Sequence, residues 1–146
     1  MKKAGLYIHI PFCKVKCVYC DFYSITKQED QIPLFTKCII NEIESYKNYN
    51  GEWEFNTIFF GGGTPSILPA RYLEQILKKL HDTFDTSNVK EITLEANPGE
   101  APLEYLKDIR NLGVNRLSMG FQSFNDKILK QLGRLHKSQD CFKTFK

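Results

Sequence analysis

Cys13, Cys17 and Cys20 place three thiols in one short C-x3-C-x2-C run, directly after the strand-like stretch 6–10. Three thiolates on one tight loop can hold three irons of a cubane cluster and leave the fourth iron open to another ligand. The competing chemistry is zinc, which as a structural ion wants four N or S ligands in a closed tetrahedron. Only Asp21, His9 and Cys38 are near enough in sequence to supply a fourth, and no second Cys or His pair accompanies the triplet. The spacing therefore favours an iron–sulfur site over zinc, and chemistry over a structural staple. The remaining cysteines fit neither site. Cys38 lies among Leu34, Phe35, Ile39 and Ile43 at helical spacing and reads as a small buried hydrophobe, as does Cys141.

Further candidates sit at the ends of strand-like runs. Gly61-Gly62-Gly63-Thr64-Pro65 follows one such run, where glycine lets backbone approach a ligand closely. It lacks the Lys-Ser/Thr of a phosphate loop and the G-x-G-x-x-G of a dinucleotide site, so its backbone groups suit an ammonium or carboxylate better. Glu95 is an acid on a strand whose other face is apolar; a salt bridge to Arg116 would also explain it. His9 reads as a satisfied core histidine, and Gln122 as a strand-end amide. Arg134, near a helix end, is explained by complementation of the helix dipole.

The elements that must position these groups alternate. Strands are predicted over 5–10, 55–60, 91–96 and 114–119. Helices are predicted over 32–47, from Pro69 with a stripe of Leu73, Ile76, Leu77, Leu80 and Phe84, from Pro102 to Leu112, and over 125–132. Gly113 marks the third helix's stop, and 139–146 is helix-like. Four βα units in succession predict a parallel sheet with helices outside it. Strand parity adds a detail: Tyr7 and His9, then Thr93, Glu95 and Asn97, then Arg116, Ser118 and (if the strand continues) Gln122 share a polar face. A parallel sheet covered on both faces should be apolar on both. A curved, partly closed barrel with a wet interior resolves the conflict, with functional groups at the C-terminal ends of its strands.

Composition narrows the function classes. The 146 residues, 42% hydrophobic and 25% charged, fit one ordinary globular domain. A net charge of +3 without charged blocks gives no case for nucleic acid. No stretch is apolar enough to span a membrane or serve as a signal peptide. The clustered cysteines suit a reducing compartment, so a cytoplasmic address is expected.

Taken together, these stretches resemble the radical S-adenosylmethionine (SAM) superfamily, in the branch of oxygen-independent coproporphyrinogen III oxidases and HemW-type haem chaperones. The matching residues are Tyr-Ile-His-Ile-Pro-Phe-Cys (7–13) with the cysteine triplet, Phe-Phe-Gly-Gly-Gly-Thr-Pro-Ser (59–66) and Leu-Glu-Ala-Asn-Pro-Gly (94–99). Asn-Arg-Leu-Ser-Met-Gly-Phe-Gln-Ser-Phe (115–124) and Leu-Gly-Arg-Leu-His (132–136) complete the series. The resemblance implies a [4Fe–4S] cluster on Cys13, Cys17 and Cys20, with SAM on the open iron. It assigns SAM contacts to Tyr7, Tyr19, Gly62, Gly63, Thr64, Glu95, Gln122 and Arg134. It implies haem or porphyrin as ligand and haem-accepting respiratory proteins as partners, and leaves open whether SAM is cleaved.

Two departures refine the expectation. The oxidases carry a further cysteine two positions after the triplet, where this chain has Phe22; that favours the chaperone branch over coproporphyrinogen oxidation. A full (β/α)8 barrel takes about 250 residues, so the expected fold is a truncated partial (β/α) barrel, the N-terminal part of a radical SAM core without its later strands and porphyrin-binding region. A third possibility is a truncated product with no function of its own, its last strand an unpaired edge.

Overall fold

The computed structural model describes residues 2–49 and 51–146. The βα rhythm is realised as one parallel sheet. Strands β1 (Lys2–Ile10), β4 (Trp53–Gly62), β5 (Glu91–Ala96) and β6 (Arg116–Met119) lie in the order β1-β4-β5-β6, so β1 and β6 form its two edges. Two short strands, β2 (Phe12–Cys13) and β3 (Ile25–Thr26), pair beside it. Helices α1 (Ile32–Ser45), α2 (Ala70–Thr83), α3 (Leu103–Asn111), α4 (Asp126–Gln131) and α5 (Ser138–Phe145) complete the chain. This is the α/β arrangement of a partial barrel.

The two faces of the sheet divide as strand parity requires. Ile8, Ile10, Ile58, Phe60, Ile92, Leu94 and Ala96 are buried in the core, joined there by the α2 stripe Leu73, Ile76, Leu77 and Leu80. Burying each such side chain contributes about 1.5–3 kcal/mol, which is what holds α2 to the sheet. The opposite face carries polar and aromatic side chains in step across the strands. Tyr7 pairs with Phe59, Phe59 with Thr93 and Thr93 with Arg116; two register positions further on, Glu95 stands opposite Ser118.

One expectation is corrected, and two alternatives the sequence left open are decided. Cys38 is exposed, because α1 turns Ile32, Thr36 and Ile43 to the core, with Phe35 and Ile39 beside them, and this rotates Leu34 and Cys38 to the outer side. Two apolar stripes compete on that helix, and only one can face the sheet. The Glu95–Arg116 pair does not form: Arg116 donates to Glu91 Oε1 at 3.5 Å and Thr93 Oγ1 at 3.3 Å, the residues its register brings to it. Gln122 does not extend β6, which ends at Met119; it stands beyond it at φ 63°, a left-handed conformation uncommon for a side-chain-bearing residue. Cys141, by contrast, is fully buried.

Candidate cluster and cofactor site

Cys13 is fixed before the rest of its loop. Its strand pairs with β3, Ile25 N donates to Pro11 O at 2.8 Å, and Thr64 N donates to Phe12 O at 2.7 Å. Gly63 N donates to Ile10 O at 2.8 Å, so the glycine turn is zipped along the start of the cysteine loop. This approach requires glycine: a Cβ at Gly63 would stand 2.7–2.9 Å from Phe12 O, Pro11 C and Ile10 O. At Gly62, φ is 113° and a Cβ would lie 2.5 Å from the His9 ring. Gly62 N donates to Glu95 Oε2 at 3.1 Å. The N–H groups of residues 62, 63 and 64 are thus engaged within the protein.

Arg134 reaches the site through a helix end. α4 closes with Gly133 at φ 74°, its N–H on Lys130 O and the Arg134 N–H on Leu129 O. This Schellman-type reversal takes Arg134 off the helix. The guanidinium does not serve the helix dipole. Nη2 donates to Asn97 Oδ1 at 2.6 Å and to Gly120 O at 2.7 Å, and Nη1 to Cys17 Sγ at 3.5 Å. Thr64 Oγ1 donates to Cys13 Sγ at 3.5 Å.

These groups surround a cavity of about 330 Å³ at the C-terminal ends of the strands, lined by all three triplet cysteines, Tyr19, Gly62, Gly63, Thr64, Glu95, Gln122 and Arg134. Of the residues that the resemblance assigns to cluster or SAM, Tyr7 alone does not line it. Its ring stacks on Phe59, and its hydroxyl lies 3.2 Å from His9 Nδ1. His9 is satisfied on both nitrogens, with Nε2 donating to Tyr23 O at 2.9 Å. Burial and the Glu95 carboxylate both push the Tyr7 phenol above its ordinary pKa. The Tyr19 phenol is also raised, chiefly by burial, with Cys17 adding to the shift and Arg134 opposing it.

Asn97, Glu100 and His136 also line the cavity. Asn97 was visible as a polar-face residue, but Asn-Pro-Gly is ordinary turn chemistry and concealed its place in the site. His136 is buried, donates from Nε2 to Phe121 O at 3.0 Å, and is held below its usual pKa by burial, with Arg134 adding to the effect.

The donor set fits an iron–sulfur cluster: three thiols line one shared cavity, as a cluster with separate iron corners needs. Two buried polar atoms on the wall, Arg134 Nε and Ser24 Oγ, have no hydrogen-bond partner. A buried donor without a partner is costly, and a polar cofactor would satisfy it.

Comparison with known proteins agrees. The radical SAM superfamily model matches residues 7–146. The chain is 40% identical to the haem chaperone HemW of Bacillus subtilis, covering 99% of this chain and 38% of that protein. It is 39% identical to HemW of Escherichia coli, over 97% of this chain and 38% of that one. The chain therefore spans little more than a third of these relatives. Among solved structures, the coproporphyrinogen III oxidase HemN of Escherichia coli, a radical SAM enzyme, superposes with a TM-score of 0.86 at 30% identity, over 97% of this chain and 33% of that one. Fold, cysteine loop and family match coincide: the chain belongs to the radical SAM superfamily.

Proposed function

We propose that this chain is the cluster- and SAM-binding N-terminal part of a haem chaperone of the HemW type, acting in the cytoplasm. The observation that carries the reading is that three thiols, the glycine turn and Arg134 line one cavity. The HemW relatives, which match nearly the whole chain, support it. Cys13, Cys17 and Cys20 would hold the [4Fe–4S] cluster, and Tyr19, Gly62, Gly63, Thr64, Glu95, Gln122 and Arg134 would hold SAM, with Tyr7 beside them. The chemistry such a pair would supply when bound is one-electron reduction of a sulfonium. The chain's own groups bind and orient. The carbonyls of the glycine turn would accept from the amino group, Arg134 would offer its charge to the carboxylate, and Glu95, with one oxygen beyond the Gly62 bond, would accept from a ligand hydroxyl.

Coproporphyrinogen oxidation is the second reading, favoured by the likeness to HemN. Phe22 speaks against it, since it lines the cavity where the oxidases carry a further cysteine. Anaerobic reconstitution, followed by haem titration and an assay for porphyrinogen decarboxylation, separates the two. Haem binding and transfer to an acceptor without decarboxylation supports the chaperone; turnover of coproporphyrinogen overturns it.

A further inference from the structure

Asn97 joins two of the three thiols through one amide. Its Oδ1 accepts from Arg134 Nη2 at 2.6 Å, and Arg134 Nη1 lies 3.5 Å from Cys17 Sγ. Its Nδ2 donates to Thr64 Oγ1 and to Glu100 Oε2, each at 3.2 Å, and Thr64 Oγ1 lies 3.5 Å from Cys13 Sγ. The amide has only one way to face. A guanidinium only donates, so the amide oxygen must meet Arg134, and the two N–H groups must then meet Thr64 and Glu100. Thr64 has a single hydroxyl proton; with its oxygen accepting from Asn97, that proton is directed to Cys13.

We infer that Asn97 is a positioning residue whose amide sets the hydrogen bonding of both Cys13 and Cys17, through Thr64 on one side and Arg134 on the other. The inference rests on the reading of the three thiols as cluster ligands. Hydrogen bonds to the sulfurs of an iron–sulfur cluster stabilise its more negative, reduced form and so raise its reduction potential. Asn97 thereby holds the potential above the value the bare thiolates would give.

The test is a redox titration, followed by electron paramagnetic resonance, of the chain reconstituted anaerobically with iron and sulfide. Asn97→Asp keeps the side chain's shape and its contact with Arg134 but turns the amide donor into an acceptor, so the Thr64 proton swings away from Cys13. The expected result is unaltered iron content with a more negative midpoint potential. Thr64→Val should shift the potential in the same direction, and Asn97→Asp should add a smaller shift in that background than alone. An unchanged midpoint in Asn97→Asp overturns the inference. So does a shift of equal size in both backgrounds, which is what the added charge acting through space would give. Loss of the cluster from a folded Asn97→Asp chain while Thr64→Val retains it also overturns it, because with the Arg134 contact kept the substitution acts only through the Thr64 arm and cannot matter more than Thr64. Failure of the unaltered chain to take up iron would instead remove the cluster reading, and the inference with it.

Discussion

Arg134 and Cys17 are 117 residues apart in sequence, yet the guanidinium lies 3.5 Å from the thiol sulfur. The same guanidinium ties down the Gly120 carbonyl and the Asn97 amide. One cation therefore joins the cysteine loop to the ends of β5 and β6. Arg134→Ala leaves those acceptors without their donor. It is expected to lower stability by about 1–3 kcal/mol in a urea titration. It should also weaken SAM binding to the reconstituted protein about tenfold or more in equilibrium dialysis, the loss of one charge-assisted contact.

The cysteines divide into two classes. Substituting Cys13, Cys17 or Cys20 by Ala should cut iron after reconstitution well below about four per chain. Cys38→Ser should change neither iron content nor stability, since Cys38 is exposed on α1. Cys141→Ser should keep the iron and lose about 1–3 kcal/mol of stability, because a hydroxyl replaces a thiol on the buried face of α5. Iron analysis and thermal unfolding on the same preparations check both.

The glycine turn makes a steric prediction. Gly63→Ala inserts a methyl against three backbone atoms of residues 10–12 and should cost about 1–3 kcal/mol through overpacking. It should also perturb iron uptake, since Cys13 is the next residue. Gly51→Ala, where a Cβ meets nothing within 4 Å but φ is 95°, isolates the backbone cost. It should lower stability by about 1 kcal/mol and leave iron uptake alone.

His136 supplies the pH dependence. Burial depresses its folded pKa below the ordinary 6.5. The folded state thus prefers the neutral ring, whose Nε2–H donates to Phe121 O. Its contribution to stability is present above about pH 6.5, the unfolded value, and is lost as the pH falls through the folded pKa. Urea midpoints measured from pH 7.5 downward should fall across that window in the native chain and more shallowly in His136→Gln.

The sheet, its polar face and the cavity at its strand ends were legible because side chains in strands alternate. Register then aligned the alternations, from Tyr7 to Phe59 and on to Thr93. The aim of Arg134 was not legible. The sequence shows a cation after a helix, and only the left-handed Gly133 turns it toward Cys17 rather than along the axis. Cys38 misled because α1 carries two apolar stripes, and choosing between them depends on which face the sheet presents. The glycine turn misled differently: glycine permits close approach, but the partners it approached were residues 10–12, so its N–H groups were already engaged.

Cys13 is held by backbone on both sides, whereas Cys17 and Cys20 sit on a largely exposed loop whose internal backbone bond runs from Cys20 N to Cys17 O. Whatever the three thiols take up, two of them must be brought to the third. Fixing a residue's backbone costs about 1–2 kcal/mol, so the six residues between Cys13 and Cys20 put an entropic toll on loading that Cys13 itself escapes. The half-life of the loaded site can therefore be altered by stiffening or loosening Lys14, Val15 or Lys16, with every ligand left in place.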